Sequence, residues 1–169
     1  MIHDILRYGD PRLLAENAPV ALPSEGIGAL LEDMVETCHA APGIGLAAPQ
    51  IGVNLRAAVI DLSVGADPSA VVVLINPEIL VSEGEQKEEE GCLSVPDLIE
   101  RVRRPARVVV RAADAAGQVR EIEGTGLLAR ALCHEIDHLE GRLYLHRLRG
   151  LKRDLTFRKI ERRIAKGIW

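Results

Sequence analysis

One stretch constrains this chain more than any other. Residues 125–140 read as a helix that is apolar on more than one face, through Leu127, Leu128, Ala131, Leu132, Ile136 and Leu139, yet it also carries His134, Glu135 and His138. A helix apolar over most of its girth is buried, and burying two imidazoles and a carboxyl without partners is costly. The fold must therefore supply partners. Histidines at i and i+4 lie one above the other on the same helical face, so a single ion can satisfy both without bending the backbone. Glu135, between them, is then placed to take a proton from a water at the ion. A catalytic ion needs a third protein ligand and an open fourth position. Glu140 is too close in sequence to serve, and His146 fits no standard spacing. Cys92 is the more attractive candidate. It lies in Glu90-Gly91-Cys92-Leu93-Ser94-Val95-Pro96, a glycine turn entering an extended X-Pro segment; its other reading is a buried structural thiol. Cys133 projects roughly 100° around the helix from His134 and reads as packing. Asp137 also faces away from the histidine pair and reads as a surface or supporting hydrogen bond.

The rest of the chain builds the frame for that helix. Ser24 reads as the cap of a helix reaching His39, with Ile27, Leu30, Leu31, Met34, Val35 and Cys38 on one apolar stripe and Pro42-Gly43 as its stop. Cys38 on that stripe is a small buried hydrophobe. Strand-like runs follow at 56–62, 71–76, 79–82, 107–112 and 118–122, the last two joined by a turn at 114–117. Thr125 reads as the cap of the histidine helix and Gly141 as its stop. A last helix is expected over 151–166. This order reads as α+β in a single domain, 1–169, rather than doubly wound α/β. With aromatics at 2%, the core must be Leu, Ile, Val and Ala, and the scarcity argues against a stacking platform for single-stranded nucleic acid. The net charge of −4 argues against wholesale nucleic-acid affinity. Yet residues 151–169 hold seven basic against two acidic side chains, which is either a solvated face or a basic handle for RNA or another acidic surface. The run Glu83, Glu85, Glu88, Glu89, Glu90 reads as an exposed turn, at least up to Glu89. No apolar run approaches the ~20 residues that span a bilayer. Three cysteines without a visible export signal point to a reduced, cytosolic setting, and no exposed apolar stripe demands a second copy, so a monomer is expected.

Three segments taken together go further. Gly43-Ile44-Gly45-Leu46-Ala47-Ala48-Pro49-Gln50, Glu90-Gly91-Cys92-Leu93-Ser94 and His134-Glu135-Ile136-Asp137-His138-Leu139 resemble the three signature motifs of the peptide deformylases. The likeness continues through Gly150-Leu151-Lys152-Arg153-Asp154. It implies antiparallel strands around the buried helix, and one divalent ion on Cys92, His134 and His138. Fe(2+) is the ion expected in the cell, with Zn(2+), Ni(2+) and Co(2+) also compatible with the ligands. It implies hydrolysis of the N-formyl group from the formyl-methionine of newly made polypeptides in the bacterial cytoplasm, releasing formate. Hydroxide at the ion attacks the formyl carbon, Glu135 is general base and acid, and the Gln50 amide and the Leu93 backbone N–H steady the oxyanion. By the same likeness Ile44, Gly45 and Gly91 pair with the nascent peptide as an added strand, and Ile44, Leu127, Ala131 and the His134 ring form the methionine pocket. Arg130 stands where many relatives are apolar, and its stem is expected to line that pocket with its head in water. Ile99 replaces an Arg of some members and His146 a common Asp. By the same likeness the basic terminal helix is expected to contact the ribosome. A peptidase built on the same histidine helix leaves Cys92 and Gln50 unexplained. A cysteine hydrolase pairing Cys92 with His134 leaves Glu135 and His138 idle.

Overall fold

Apolar residues three and four apart place Ile27, Leu31, Met34 and Cys38 on the buried side of the first helix, α1 (Ile27–Ala40). The computed structural model describes residues 1–169. It moves the start of α1 from the expected cap: Ser24 makes no capping bond, its hydroxyl donating instead to the Glu25 carbonyl, and Gly26 stands before the first turn at φ 86°. The left-handed glycine turns the incoming chain away, which takes Ser24 off the helix end.

Seven strands follow: β1 (Gly45–Ala47), β2 (Ala57–Ile60), β3 (Val72–Glu83), β4 (Gln86–Cys92), β5 (Val95–Arg104), β6 (Arg107–Ala113) and β7 (Val119–Thr125). All pairings among them are antiparallel, in one sheet of order β1-β2-β3-β6-β7 and a separate hairpin β4-β5. The runs expected at 71–76 and 79–82 are one strand, β3. Pro77 breaks the ladder, and shifts of register between Ile75 and Glu78 and between Ile79 and Val81 absorb it. The turn at 114–117 is as expected: Asp114 accepts from the backbone of Ala116 and Gln118, and Gly117 has φ 82°. After β2 the loop folds over Asp61, whose carboxylate accepts from Ser63, from the Gly65 N–H and from His39.

The acidic stretch is the largest departure from expectation. It is no turn beyond Gly84-Glu85 but strand β4, paired along its length with β5. Its exposed face is glutamate and lysine, so no apolar alternation announced it.

The histidine helix, α2 (Gly126–Leu139), crosses one face of the large sheet. Leu132, Ile136 and Leu139 pack there with Ala58, Ile60, Leu74, Val108 and Val110, and Cys133 packs in the same cluster. The other face of β1 and β2 meets α1, through Leu46, Ala57 and Val59 against Ile27, Leu31 and Met34. Alternate residues of β2 thus point into two cores, which explains why all four are apolar. Thr125 occupies the cap position of α2 without a capping bond, and Gly141 follows the helix at φ 71°. A Cβ on Gly141 would stand 2.9 Å from the Leu14 carbonyl oxygen. A third cluster joins β5 (Val95, Leu98, Val102) to Leu143, Tyr144 and Leu145 and to Ile160 of α3 (Gly150–Ala165). Packing, not sheet hydrogen bonding, therefore holds the β4-β5 hairpin to the body, each buried aliphatic side chain contributing roughly 1.5–3 kcal/mol. No helix is long and apolar enough to cross a membrane.

Candidate active site

The strand β4 ends where it meets α2. Glu90 points inward, the register slips between Glu90 and Cys92, and the chain reverses through Leu93-Ser94 into β5. This delivers the Cys92 Sγ to 3.3 Å from His138 Nε2. One ligand atom each from Cys92, His134 and His138 falls within 4.8 Å of the others. His134 Nδ1 is bonded to the Glu90 carboxylate, which leaves Nε2 for the centre. A carboxylate on the far nitrogen is the usual orienting partner of a metal-binding histidine. Burial pushes His138 well below the ordinary histidine range, so its ring is neutral and has a lone pair to give. A thiol and two imidazoles converging with one ring already oriented fit a divalent ion of the zinc or iron kind.

Glu135 sits beside this cluster, 3% exposed. Its carboxyl lies directly over Gly45 of β1, in space that any Cβ at position 45 would occupy. Its Oε2 is buried without a hydrogen-bond partner, and burial pushes its pKa up to about 7. Gln50 lies in the short 3-10 turn Ala48–Ile51 just past β1. Its Oε1 accepts from the Ala47 N–H at 2.9 Å and its Nε2 donates to Ser94 Oγ at 3.1 Å, which fixes the amide with its NH₂ toward Cys92, 3.6 Å from the sulfur. The Leu93 N–H, in the β4-β5 turn, is used by no backbone pair.

One cavity of about 520 Å³ opens onto these groups. Ile44, Gly45, Gly91, Leu127 and Ala131 line it together with Gln50, Cys92, Leu93, His134 and Glu135, so every anticipated substrate-side residue faces the same space. Leu127 and Ile99 are the exposed apolar parts of its wall, at 52% and 66%. Gly43 closes its far side, where a Cβ would stand 2.7 Å from Leu93 Cδ1.

Two expectations about charged side chains need correcting. The head of Arg130 does not reach water: the residue is 4% exposed and its guanidinium donates to Glu90 Oε2 at 3.0 Å and Gln86 Oε1 at 3.1 Å. For Asp137, expected either at the surface or in a supporting hydrogen bond, the second holds and the first does not. It is buried and accepts from Arg104 at 2.6 Å and from both Nε and Nη2 of Arg147. The reason is the same for both. The hairpin covers this side of α2, so a charge there must find a buried partner. Glu90 and Arg104 are the residues sequence reasoning missed. Arg104 donates two bonds to Glu90, which burial would push up but which the bonds from His134 and Arg104 hold at about 2. A signal existed: Arg130, His134 and Asp137 follow one another at i, i+4 and i+7, a polar stripe that demanded a polar partner. His146 forms no ion pair; its Nδ1 accepts from the Leu143 N–H, and its ring lies near Tyr8 and Phe157.

Known proteins carry the same arrangement. The Polypeptide deformylase family model matches residues 2–154. A peptide deformylase of Acidobacterium capsulatum is 50% identical over 169 residues, covering 100% of this chain and 99% of the relative. That of Syntrophobacter fumaroxidans is 47% identical over 166 residues, 98% of each chain. Among solved structures, a peptide deformylase from Legionella pneumophila superposes with a TM-score of 0.89 at 44% identity, over 99% of this chain and 98% of that one. One from Thermus thermophilus reaches 0.91 at 41% identity, over 98% and 97%. With the signature segments gathered around one cavity and the likeness running the length of the chain, this protein belongs to the polypeptide deformylase family of metal-dependent hydrolases.

Proposed function

We propose that this chain removes the formyl group from the N-terminal formyl-methionine of newly made polypeptides, and that Cys92, His134 and His138 hold the ion on which it depends. The convergence of those three donors, two of which, Cys92 and His134, line one cavity with Glu135 and Gln50, carries this reading. Held by those three residues, a divalent ion would supply Lewis-acid chemistry, bringing the pKa of a water from 15.7 toward about 7. Fe(2+) is the ion we infer for the cell, since soft thiolate and imidazole donors suit it as well as they suit zinc.

The protein's own groups do the rest. Glu135, poised near neutrality by burial, takes the proton of the attacking water and returns it to the leaving amine. The formyl carbon passes through a tetrahedral stage whose oxygen becomes negative. The Gln50 Nε2 and the Leu93 N–H supply donors for that charge, and Gln50 is held for the purpose by Ala47 and Ser94. The peptide lies as an added strand against Ile44, Gly45 and Gly91, using main-chain groups and so admitting many sequences. Its methionine side chain enters the apolar part of the cavity among Ile44, Leu127, Ala131 and the His134 ring. The exposed basic side of α3 is the surface we assign to ribosome contact.

Formate release from a short formyl-methionyl peptide tests this. Metal-loaded protein should release formate and a chelator should stop it, while the unformylated peptide stays intact. Peptide cleavage without formate release would make the protein a peptidase instead.

A further inference from the structure

Arg130 and Glu90 are buried charges lining the cavity that the reaction above does not use, and of the two Arg130 is the one on α2. A guanidinium is a poor choice for the wall of a methionine pocket, where an aliphatic side chain would suffice. Its contacts explain its presence. Nη1 donates to Glu90 Oε2 at 3.0 Å and also to the carbonyls of Glu88 in β4 at 3.1 Å and Val102 in β5 at 3.3 Å. Nη2 donates to Gln86 Oε1 at 3.1 Å. One side chain of α2 therefore grips both strands of a hairpin that is hydrogen-bonded to no strand of the large sheet.

That hairpin brings Cys92, and α2 brings His134 and His138, so the centre is assembled across the seam that Arg130 bridges. The carboxylate of Glu90 lies between. Its Oε1 meets His134 Nδ1 and Arg104 Nη2, and its Oε2 meets Arg104 Nε at 3.1 Å and Arg130. The last torsion of a glutamate is soft. With Arg130 gone, the carboxylate that orients the His134 ring would rest on the Arg104 pair alone and lose its second donor on Oε2, which loosens its seat. The two carbonyls of β4 and β5 would lose a buried donor at the same time.

We propose that Arg130 is a positioning residue of the metal centre: by fixing Glu90 it fixes His134, and by gripping β4 and β5 it sets the Cys92 thiolate against the two histidines. The inference rests on the three-ligand reading given above. It concerns how firmly the ion is held, and it assigns Arg130 no contact with the peptide.

The test uses cobalt-loaded protein, whose visible and thiolate charge-transfer absorption reports ligand geometry directly. The parent, Arg130→Met and Arg130→Lys would be compared for absorption, for the rate of cobalt release into a chelator, and for kcat and KM. Arg130→Met is expected to shift the absorption, to release cobalt about tenfold faster, the low end for partners of metal ligands, and to lower kcat with KM for a formyl-methionyl peptide within twofold of the parent. Arg130→Lys, which keeps one bond to Glu90, should fall between. On a Glu90→Gln background Arg130→Met should add little to the release rate, because the two act in series. Unchanged absorption and release with an altered KM would make Arg130 a pocket wall and overturn the proposal. Unchanged absorption and release with a lowered melting temperature would reduce it to a folding strut, also overturning it. If Arg130→Met does not fold, Arg130→Lys and Gln86→Ala, which removes the acceptor of Nη2, decide the question by the same readouts. Failure of the underlying reading looks different: the parent itself would lack the thiolate band, or keep it in Cys92→Ser.

Discussion

At the scale of single residues, the site depends on where one carboxyl sits. Glu135 has its place because position 45 has no side chain. Two substitutions separate its chemistry from its seat. Glu135→Gln keeps the shape and removes the proton carrier; turnover should fall by ~10²–10⁴ with the bound metal, counted by elemental analysis, unchanged. Gly45→Ala keeps the carboxyl but pushes it aside. It should lose a comparable part of kcat while the melting temperature moves only a few degrees, as followed by formate release and calorimetry. If Gly45→Ala raises KM and leaves kcat alone, the glycine serves the peptide strand only.

At the scale of elements, the seam between the β4-β5 hairpin and α2 is closed by charges as much as by apolar packing. Arg104, with its side chain 2% exposed, lies between Glu90 and Asp137. Removing it takes a charged partner from two buried carboxylates at once, leaving Glu90 to His134 and Arg130 and Asp137 to Arg147. Arg104→Met should therefore cost about 3–5 kcal/mol, measured by urea unfolding, far more than the few tenths expected for an exposed arginine such as Arg103 in its surface pair with Glu85. The same seam shows what the sequence could and could not disclose. The helix α2 was legible because a 3.6-residue apolar period and a His-Glu-x-x-His spacing coincide in it. The strands β2, β6 and β7 were legible from β-branched runs and a turn. The strand β4 was not, because a two-stranded hairpin with an outward face of Lys87 and Glu89 shows no alternation of apolar and polar residues. Glu90 was hidden for the same reason, at the end of a run of glutamates whose others face water. The convergence of Cys92 with the histidine helix came from matching motifs, not from spacing, since 42 residues separate Cys92 from His134 and nothing local fixes a contact over such a span.

For the whole molecule, two consequences of charge can be measured. Glu90 is held at about 2 against an ordinary value of 4.5, by His134 and Arg104 and in spite of its burial. Asp61 is held at about 2 against 3.8, first by the Ser63 hydroxyl and then by Gly65 and His39. A carboxyl whose folded pKa lies below its unfolded one stabilises the fold fully above the unfolded value and loses that contribution as pH falls toward the folded one. The part of the stability owed to these two carboxyls should therefore decline, by denaturant titration, between about pH 5 and 2, with Asp61→Asn flattening part of that decline. The second consequence belongs to α3, where Arg158, Lys159, Arg162 and Lys166 are exposed while Thr156 and Ile160 are buried. Reversing these four of its exposed basic charges should leave formate release from a short peptide intact. It should reduce co-sedimentation with ribosomes, and the difference should shrink as salt shortens the Debye length below about 8 Å. Co-sedimentation unaffected by the reversal would remove α3 as the docking surface.

The last residue has a use in the laboratory. Trp169 is the only tryptophan, and its indole N–H donates to the carbonyl of Tyr8 at 2.6 Å, far along the chain from the metal ligands. Intrinsic emission excited at the indole band is thus a gauge of whether the two ends of the polypeptide are docked. An emission change on heating that precedes the loss of helical dichroism would record the undocking of the C-terminal segment from Tyr8 and from the cluster that also packs against Cys92.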